Sequence, residues 1–287
     1  MADALHPADR ARLAVFLTPA YLWLTLAVFL PLSAMLFFSF VTDMPGDTDS
    51  WFVTLSNYGE FLRNPTYASL MWKSLQLAFT VTLLCILIGY PCALVLAKSV
   101  KGRTREALFL MVILPFWSNS LVRIFSWAIV LRGNGVLEKA LNAVLPFEVK
   151  LKLLFTTDAV VIGLVHSYLP YVILTSYLAL QAVSDDLIDA ARSMGASSLT
   201  ILWRILLPLS LPGLLAGAVL VFVPVVGSFM EPRILGGRMG TYYGTVIEDQ
   251  FVAVYNWPLG AALSFILLAV VLVVLALASP VLRKAKT

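Results

Sequence analysis

Charge is scarce in this chain. Only 13% of its 287 residues are Asp, Glu, Lys or Arg, about half the share of an ordinary soluble domain. With 60% hydrophobic residues and a mean hydropathy of +0.91, that excludes a water-facing globule and points to an integral membrane protein. Histidine is nearly absent. His6 and His166 stand far apart, so there is no H-E-x-x-H zinc site and no metal site is expected. No G-x-x-x-x-G-K-[ST] loop occurs, so the chain is not expected to hold nucleotide phosphates. No G-x-S-x-G elbow occurs either, and no catalytic residue is expected. Cys85 and Cys92 lie about two helical turns apart in one apolar run, too far for a disulfide. The net charge of +4 is modest and its basic residues form no large patch, so nucleic-acid binding is not implied. The first apolar run is too long for a signal-peptide core and lacks a small-residue cleavage site, so it reads as a retained anchor.

What is abundant is long uncharged sequence. About 20 apolar residues cross a bilayer, and six stretches qualify: Leu13 to Val41, Ser74 to Ala97, Ala107 to Leu131, Ala159 to Ser184, Leu209 to Met230, and Leu259 to Ala278. Pro19 and Pro31 are candidate kinks in the first. The second can start earlier, because Asn64-Pro65 offers a cap and a first-turn proline. The third runs past a single Arg123. The expected fold is therefore all-α, one polytopic membrane domain over residues 1–287. Lys98, Lys101, Arg103 and Arg105 crowd one short connection, and Arg10, Arg12, Arg283, Lys284 and Lys286 fall on the same side. That bias places both termini in the cytoplasm. The opposite loops carry more acid, and Met44 to Asp49 reads as a turn by its Pro, Gly and Asp content.

One polar interruption reads as a folded device rather than a connector. It is Ser184 to Pro208, SDDLIDAARSMGASSLTILWRILLP. Asp185, Asp186 and Asp189 gather where a helix N-terminus favours negative charge, and Ser184 can cap it. Ala190 and Ala191 leave a smooth face. Gly195 permits a left-handed turn. Ser197 or Ser198 can cap a second short helix, which Pro208 is expected to end. By the inside-positive bias this unit lies in the cytoplasm.

Inside the spans, polar and aromatic groups are candidates for a solute path, because lipid cannot satisfy them. Helix three holds Trp117, Asn119 and Arg123, the last two four apart and expected on one face. Helix four holds Tyr168 and Tyr171, besides His166. Glu231 follows helix five beside a proline, where it can meet a cation or pair with Arg123 or Arg233. Tyr242, Tyr243, Tyr255 and Trp257 look like an interfacial aromatic belt.

The polar device carries a resemblance. Asp189-Ala190-Ala191, three residues, Gly195, nine residues, Ile205, one residue and Leu207-Pro208 resembles the EAA signature of permease subunits of binding-protein-dependent ABC importers, with Asp189 where the family usually has Glu. The resemblance implies that this segment is a coupling helix docking into an ATPase subunit. The stretch Leu114 to Trp127, with Gly89-Tyr90-Pro91, Phe155-Thr156, Leu235-Gly236-Gly237 and Asn256 to Ala262, looks like the first permease subunit of spermidine/putrescine importers. That implies a MetI-like fold in the bacterial inner membrane, a second homologous permease, an ABC ATPase dimer carrying ATP and Mg, and a periplasmic solute-binding protein. Besides membrane lipid, these are the expected partners. Relatives of similar sequence carry opines or aminoethylphosphonate. An ion-coupled secondary transporter is the rival class, and it would usually need paired intramembrane acids and repeat-built architecture; the chain shows neither clearly.

Overall fold

A computed structural model describes residues 7–43 and 52–284. The turn expected at Met44 to Asp49, and Lys286, lie outside the described residues. The fold is helical, with one isolated bridge between Val41 and Val53. Its helices are α1 (Pro7–Ser39), α2 (Ser56–Arg63), α3 (Pro65–Leu94), α4 (Gly102–Ile113), α5 (Ser120–Leu131), α6 (Val136–Val144), α7 (Thr157–Gln181), α8 (Asp185–Ser193), α9 (Ser198–Ile201), α10 (Leu207–Val226), α11 (Met230–Gly236), α12 (Tyr243–Val252) and α13 (Trp257–Lys284). Five continuous helical stretches are long and apolar enough to cross a membrane: Val15–Ser39, Pro65–Ser99, Thr157–Gln181, Ser198–Val226 and Trp257–Ala278. A sixth is a bent pair, Gly102–Trp117 with Ser120–Leu131. The all-helical membrane fold and its span count follow the sequence reading.

Two compact units share the chain. One comprises Met1–Arg63 and Asp249–Ile266. In it the Asn57 amide donates to the Ser39 and Val41 carbonyls, at 3.2 and 2.9 Å. Ser39 Oγ and Tyr58 Oη share a hydrogen bond of 2.8 Å. The helix runs through Pro19 and Pro31 without ending.

The other unit comprises Asn64–Glu248 and Leu267–Thr287. Its core is a three-way packing of α3, α7 and α10 through Leu77, Val81 and Cys85, then Val160, Leu164 and Val172, then Leu214, Val221 and Val225. In lipid the apolar surroundings give helices no hydrophobic reason to associate, so close van der Waals contact does the work. Gly213 and Gly217, one turn apart on α10, provide it. A Cβ on Gly217 would strike Thr175 Oγ1 and lie 3.0 Å from the Val172 Cα; one on Gly213 would lie 2.6 Å from the Thr175 carbonyl oxygen. Asn64 caps α3 by accepting from the Thr66 N–H at 3.1 Å, with Pro65 in the first turn, as the Asn-Pro pair predicts.

Four expectations are corrected here. The third span is not one helix: it bends by 98° between Trp117 and Ser120. Pro115 removes a backbone donor, Ser118 turns extended, and Asn119 starts a new helix as its N-cap. The second helix of the polar device does not end at Pro208. A π turn at Leu202–Leu206 joins α9 to α10, with the Leu207 N–H reaching back to Leu202, and it relaxes the ladder where the proline has no N–H to give. Ser184 occupies the N-cap of α8 but its side chain makes no capping bond. Tyr242 and Tyr243 are not a surface belt. They are 1% and 0% exposed; the Lys73 ammonium sits 4.3 Å over the Tyr242 ring, and the Tyr243 N–H donates to Ser74 Oγ. Tyr255 and Trp257 do stand exposed.

Gly217→Leu should overpack the α7–α10 contact. Overpacking costs about 1–3 kcal/mol, so the unfolding midpoint of the detergent-purified protein should fall by roughly 5 °C. An unchanged midpoint would show that the two helices do not depend on this close approach.

Candidate functional site

Two candidate sites emerge. The first is the polar device. In α8, Asp185 accepts from Lys98 Nζ at 2.8 Å, and the same ammonium donates to the Val183 carbonyl at 2.6 Å. Lys98 belongs to a π turn, Val95–Ser99, that ends the α3 span. The Lys98 hydrogen bond holds the Asp185 carboxyl below its ordinary value, and its charge, with those of Lys101 and Arg105, acts in the same direction. Asp189 pairs with Arg192 at 3.3 Å. Gly195 has φ +83. There the chain reverses, with the Ala196 N–H bonding the Ala191 carbonyl at 3.0 Å and the Gly195 N–H bonding that of Arg192 at 2.9 Å. Ser197 then caps α9, its hydroxyl accepting from the Thr200 N–H at 3.2 Å.

The small residues divide between two tasks. Ala191 is buried with Ile188, Ile201, Leu206, Tyr177, Leu180 and Val183, so its size serves the chain's own packing. Ala190 and Gly195 stay on the open side, as do Asp186 and Pro208, while Ile205 and Leu207 are half-buried. Around them Leu187, Met194, Leu199 and Trp203 are exposed. In the sequence alone none of these four carries a docking role: Leu199 and Trp203 belong to the apolar run Leu199 to Leu207, and only Leu187 and Met194 stand in the more polar part of the segment.

The second site lies where α5, α7 and α11 meet. Arg123 of α5 donates from Nη1 to the Pro115 carbonyl at 3.0 Å, across the bend. Its Nε is buried without a hydrogen-bond partner, and so is His166 Nδ1. Both residues line a cavity of about 320 Å³ with Pro115, Ser118, Ser126 and Trp127. Aromatic rings surround the junction. Trp127 meets His166 edge-on at 5.4 Å, Phe116 meets Tyr171 edge-on at 4.8 Å, and Tyr168 stacks beside Tyr171 at 6.0 Å. Glu231, only 9% exposed, enters from the first turn of α11, a helix that packs against α5 and α7. Arg233 is turned elsewhere and bonds Glu248.

Of the residues singled out from sequence, the structure thus gathers Arg123, Tyr168, Tyr171 and Glu231. It does not gather Trp117, which is 86% exposed at the end of the turn. Asn119 is exposed and spent on capping α5, accepting from the Leu121 N–H at 2.8 Å, so its expected shared face with Arg123 is not realised. Phe116 and Trp127 were missed. Trp127 sits four residues after Arg123, the spacing that puts both on one helix face.

Comparison with known proteins places this architecture. Residues 86–285 match the sequence profile described as binding-protein-dependent transport system inner membrane component. The chain is 37% identical over 242 residues to the spermidine/putrescine transport system permease protein PotB of Haemophilus influenzae, covering 84% of each. It is 38% identical over 245 residues to PotB of Escherichia coli K12, covering 85% of this chain and 88% of that one. Its fold matches a chain of a bacterial ABC transporter involved in the import of the acidic polysaccharide alginate, with a TM-score of 0.75 over 98% of both at 16% identity. The chain therefore belongs to the binding-protein-dependent inner-membrane components, and is a multi-pass permease subunit of an ABC importer.

Proposed function

We propose that this permease carries polyamines of the spermidine and putrescine type. The observation that carries the reading is Glu231, a buried carboxylate on an α11 that packs against α5 and against α7, the helix of Tyr168 and Tyr171. A carboxylate and aromatic faces are the groups that attract an ammonium, by ion pairing and cation–π contact. The likeness to the PotB proteins supports the same solute. A second reading rests on the buried, unpartnered Arg123 Nε and His166 Nδ1. They suit a solute that also bears an anionic group, such as an aminophosphonate.

In this proposal the chain pairs with a second homologous permease, and an ATPase dimer holding ATP and Mg docks on the cytoplasmic side, where both termini lie. The docking surface is the open side of α8 and α9: Ala190 and Gly195 for close approach, Leu187, Met194 and Leu199 for apolar contact, Asp186 and Asp189 for basic partners. Ala191, Ile205 and Leu207 tie this surface to the chain's own core, and the Lys98–Asp185 pair ties it to α3. ATP-driven closure of the ATPases then moves α8 to α10 as one lever. A periplasmic binding protein delivers the solute.

Vesicles holding the assembled importer, with internal ATP and the binding protein outside, should take up labelled spermidine or putrescine only when both are present. Glu231→Gln should cut that uptake roughly tenfold, the ordinary cost of losing a charge-assisted partner. Uptake that follows an ion gradient and ignores ATP would overturn the reading. Uptake of an aminophosphonate in place of polyamines would favour the second solute.

Gly195→Ala and Gly195→Asp separate two effects at the turn. A Cβ there meets nothing within 4 Å, so Ala adds only the strain of positive φ, about 1–2 kcal/mol. Asp adds a carboxylate to the docking surface as well. Uptake per ATP hydrolysed should fall modestly for Ala and collapse for Asp; normal coupling in both would refute the docking assignment.

Asp185 has a depressed pKa, so its bond to Lys98 is present above the ordinary carboxylate value of 3.8 and is lost as pH falls below it. Across about pH 6–8 the pair should contribute no pH dependence to uptake. Exposed pairs add little, so Asp185→Asn at neutral pH should slow uptake by no more than about fivefold. A larger loss would give Asp185 a direct role at the ATPase.

A further inference from the structure

The connection between the second and third spans carries more cations than its own contacts use. Lys98 to Glu106 holds four basic residues against one acid, Glu106. Lys98 is spent on Asp185 and on the Val183 carbonyl. Lys101 and Arg103 stand exposed and Arg105 half-buried, and the three make no hydrogen bond or ion pair among the described residues. The charges of Lys101 and Arg105 reach Asp185, but its hydrogen bond goes to Lys98. The connection falls between Pro65–Ser99 and Gly102–Trp117, and so at a membrane boundary, where lipid phosphates lie. Beside it is an apolar recess of about 500 Å³. Pro91, Cys92 and Val95 line it from the end of the α3 span, Leu108 and Val112 from α4, and Ile173 from α7. Arg105, Leu108 and Val112 follow the i, i+3, i+7 spacing of one helix face. One stripe of α4 therefore begins with a cation and continues as apolar lining for two turns, about 10 Å.

We propose that this recess seats one anionic phospholipid, with its phosphate on Lys101, Arg103 and Arg105 and an acyl chain between α3 and α4 against α7. The surface asks for both halves of such a molecule. A zwitterionic lipid fills the recess but brings the cations no net charge. A free phosphate meets the cations but leaves the recess unfilled. The headgroup is selected by charge, since each basic residue beside an anionic surface strengthens attraction about fivefold. The place is fixed by the recess, where a chain touches three helices instead of one. The seat is independent of which solute the importer carries. It bears on the polar device all the same, because Val95 opens the π turn that carries Lys98. A chain packed on Val95 braces that turn, and with it the tie from Lys98 to Asp185.

The test is photo-crosslinking in nanodiscs of phosphatidylcholine that hold the assembled importer. A trace of phosphatidylglycerol or of phosphatidylcholine, each with a diazirine in one acyl chain, is added and irradiated, and the labelled peptides are mapped by mass spectrometry. The phosphatidylglycerol probe should label the peptides around Cys92 and Leu108 at least about tenfold more than the phosphatidylcholine probe. Lys101→Gln, Arg103→Gln and Arg105→Gln together should bring the two probes to within about twofold. If that triple variant does not assemble, Arg105→Gln alone should lower the ratio about fivefold. Leu108→Trp, which fills the recess and leaves the cations in place, should cut labelling there by either probe. Equal labelling by the two probes in the natural protein would make the recess ordinary lipid-facing surface and overturn the proposal. So would a ratio unmoved by loss of the cations. A recess that neither probe labels, while α13 is labelled, would show that protein covers it and would also overturn the proposal.

Discussion

Lipid offers a backbone no hydrogen bonds, and the rest of this structure depends on that constraint. An uninterrupted helix satisfies it automatically. A broken one must bring its own partners. At the break in the third span three are supplied within a few residues. Asn119 takes the Leu121 N–H, Ser118 Oγ donates to the Pro115 carbonyl at 2.9 Å, and Arg123 donates to that carbonyl from the far side. The same demand explains the two π turns, one closing α3 and one opening α10. Each keeps a bonded ladder where a regular helix would be interrupted.

Irregular backbone is also where the chemistry gathers. The bend at Trp117 to Ser120 turns α5 so that Arg123 and Trp127 face α7, and the short α11 after Gly227 delivers Glu231 to the same place. Regular helices could not have done this. A straight third span would have carried Arg123 along one face with Asn119, and a continuous fifth would have taken Glu231 out of the membrane with its axis. At the end of the bundle where α8 and α9 lie the logic repeats, since Gly195 and the Leu202–Leu206 turn set them against the ends of α3 and α7.

Much of this was legible in the residues. Apolar length marked the first, fourth and sixth spans to within a few positions, while the second begins at Pro65 rather than Ser74 and the fifth at Ser198 rather than Leu209; Asn64-Pro65 marked an entry point correctly. The polar device stood out because Gly195 and Ser197 carry local signals that act through their own backbone. What was not legible depended on contacts between distant segments. Nothing near Ala191 says that it faces inward, and only the packing of Leu180 and Ile201 around it does. Tyr242 and Tyr243 have the composition of an interface belt, but Lys73 and Ser74 claim them for the interior. Asn119 was read as a path residue, and the bend makes it a cap instead. Gly213 and Gly217 form a spaced pair of small residues whose meaning appears only when Thr175 lies opposite.

A π turn amounts to an α-helix with one residue too many, and one extra residue advances a helix by about 100°. The Leu202–Leu206 turn therefore fixes the angular phase between two faces of one continuous rod. Before the turn the rod presents Leu199 and Trp203 outward; after it, Gly213 and Gly217 face α7. In terms of descent, the number of residues in the turn is as constrained as the smallness of Gly213 and Gly217. A single deletion within the turn would restore a regular helix and point one half of the rod at a different neighbour, leaving every remaining side chain unaltered and the two halves out of phase.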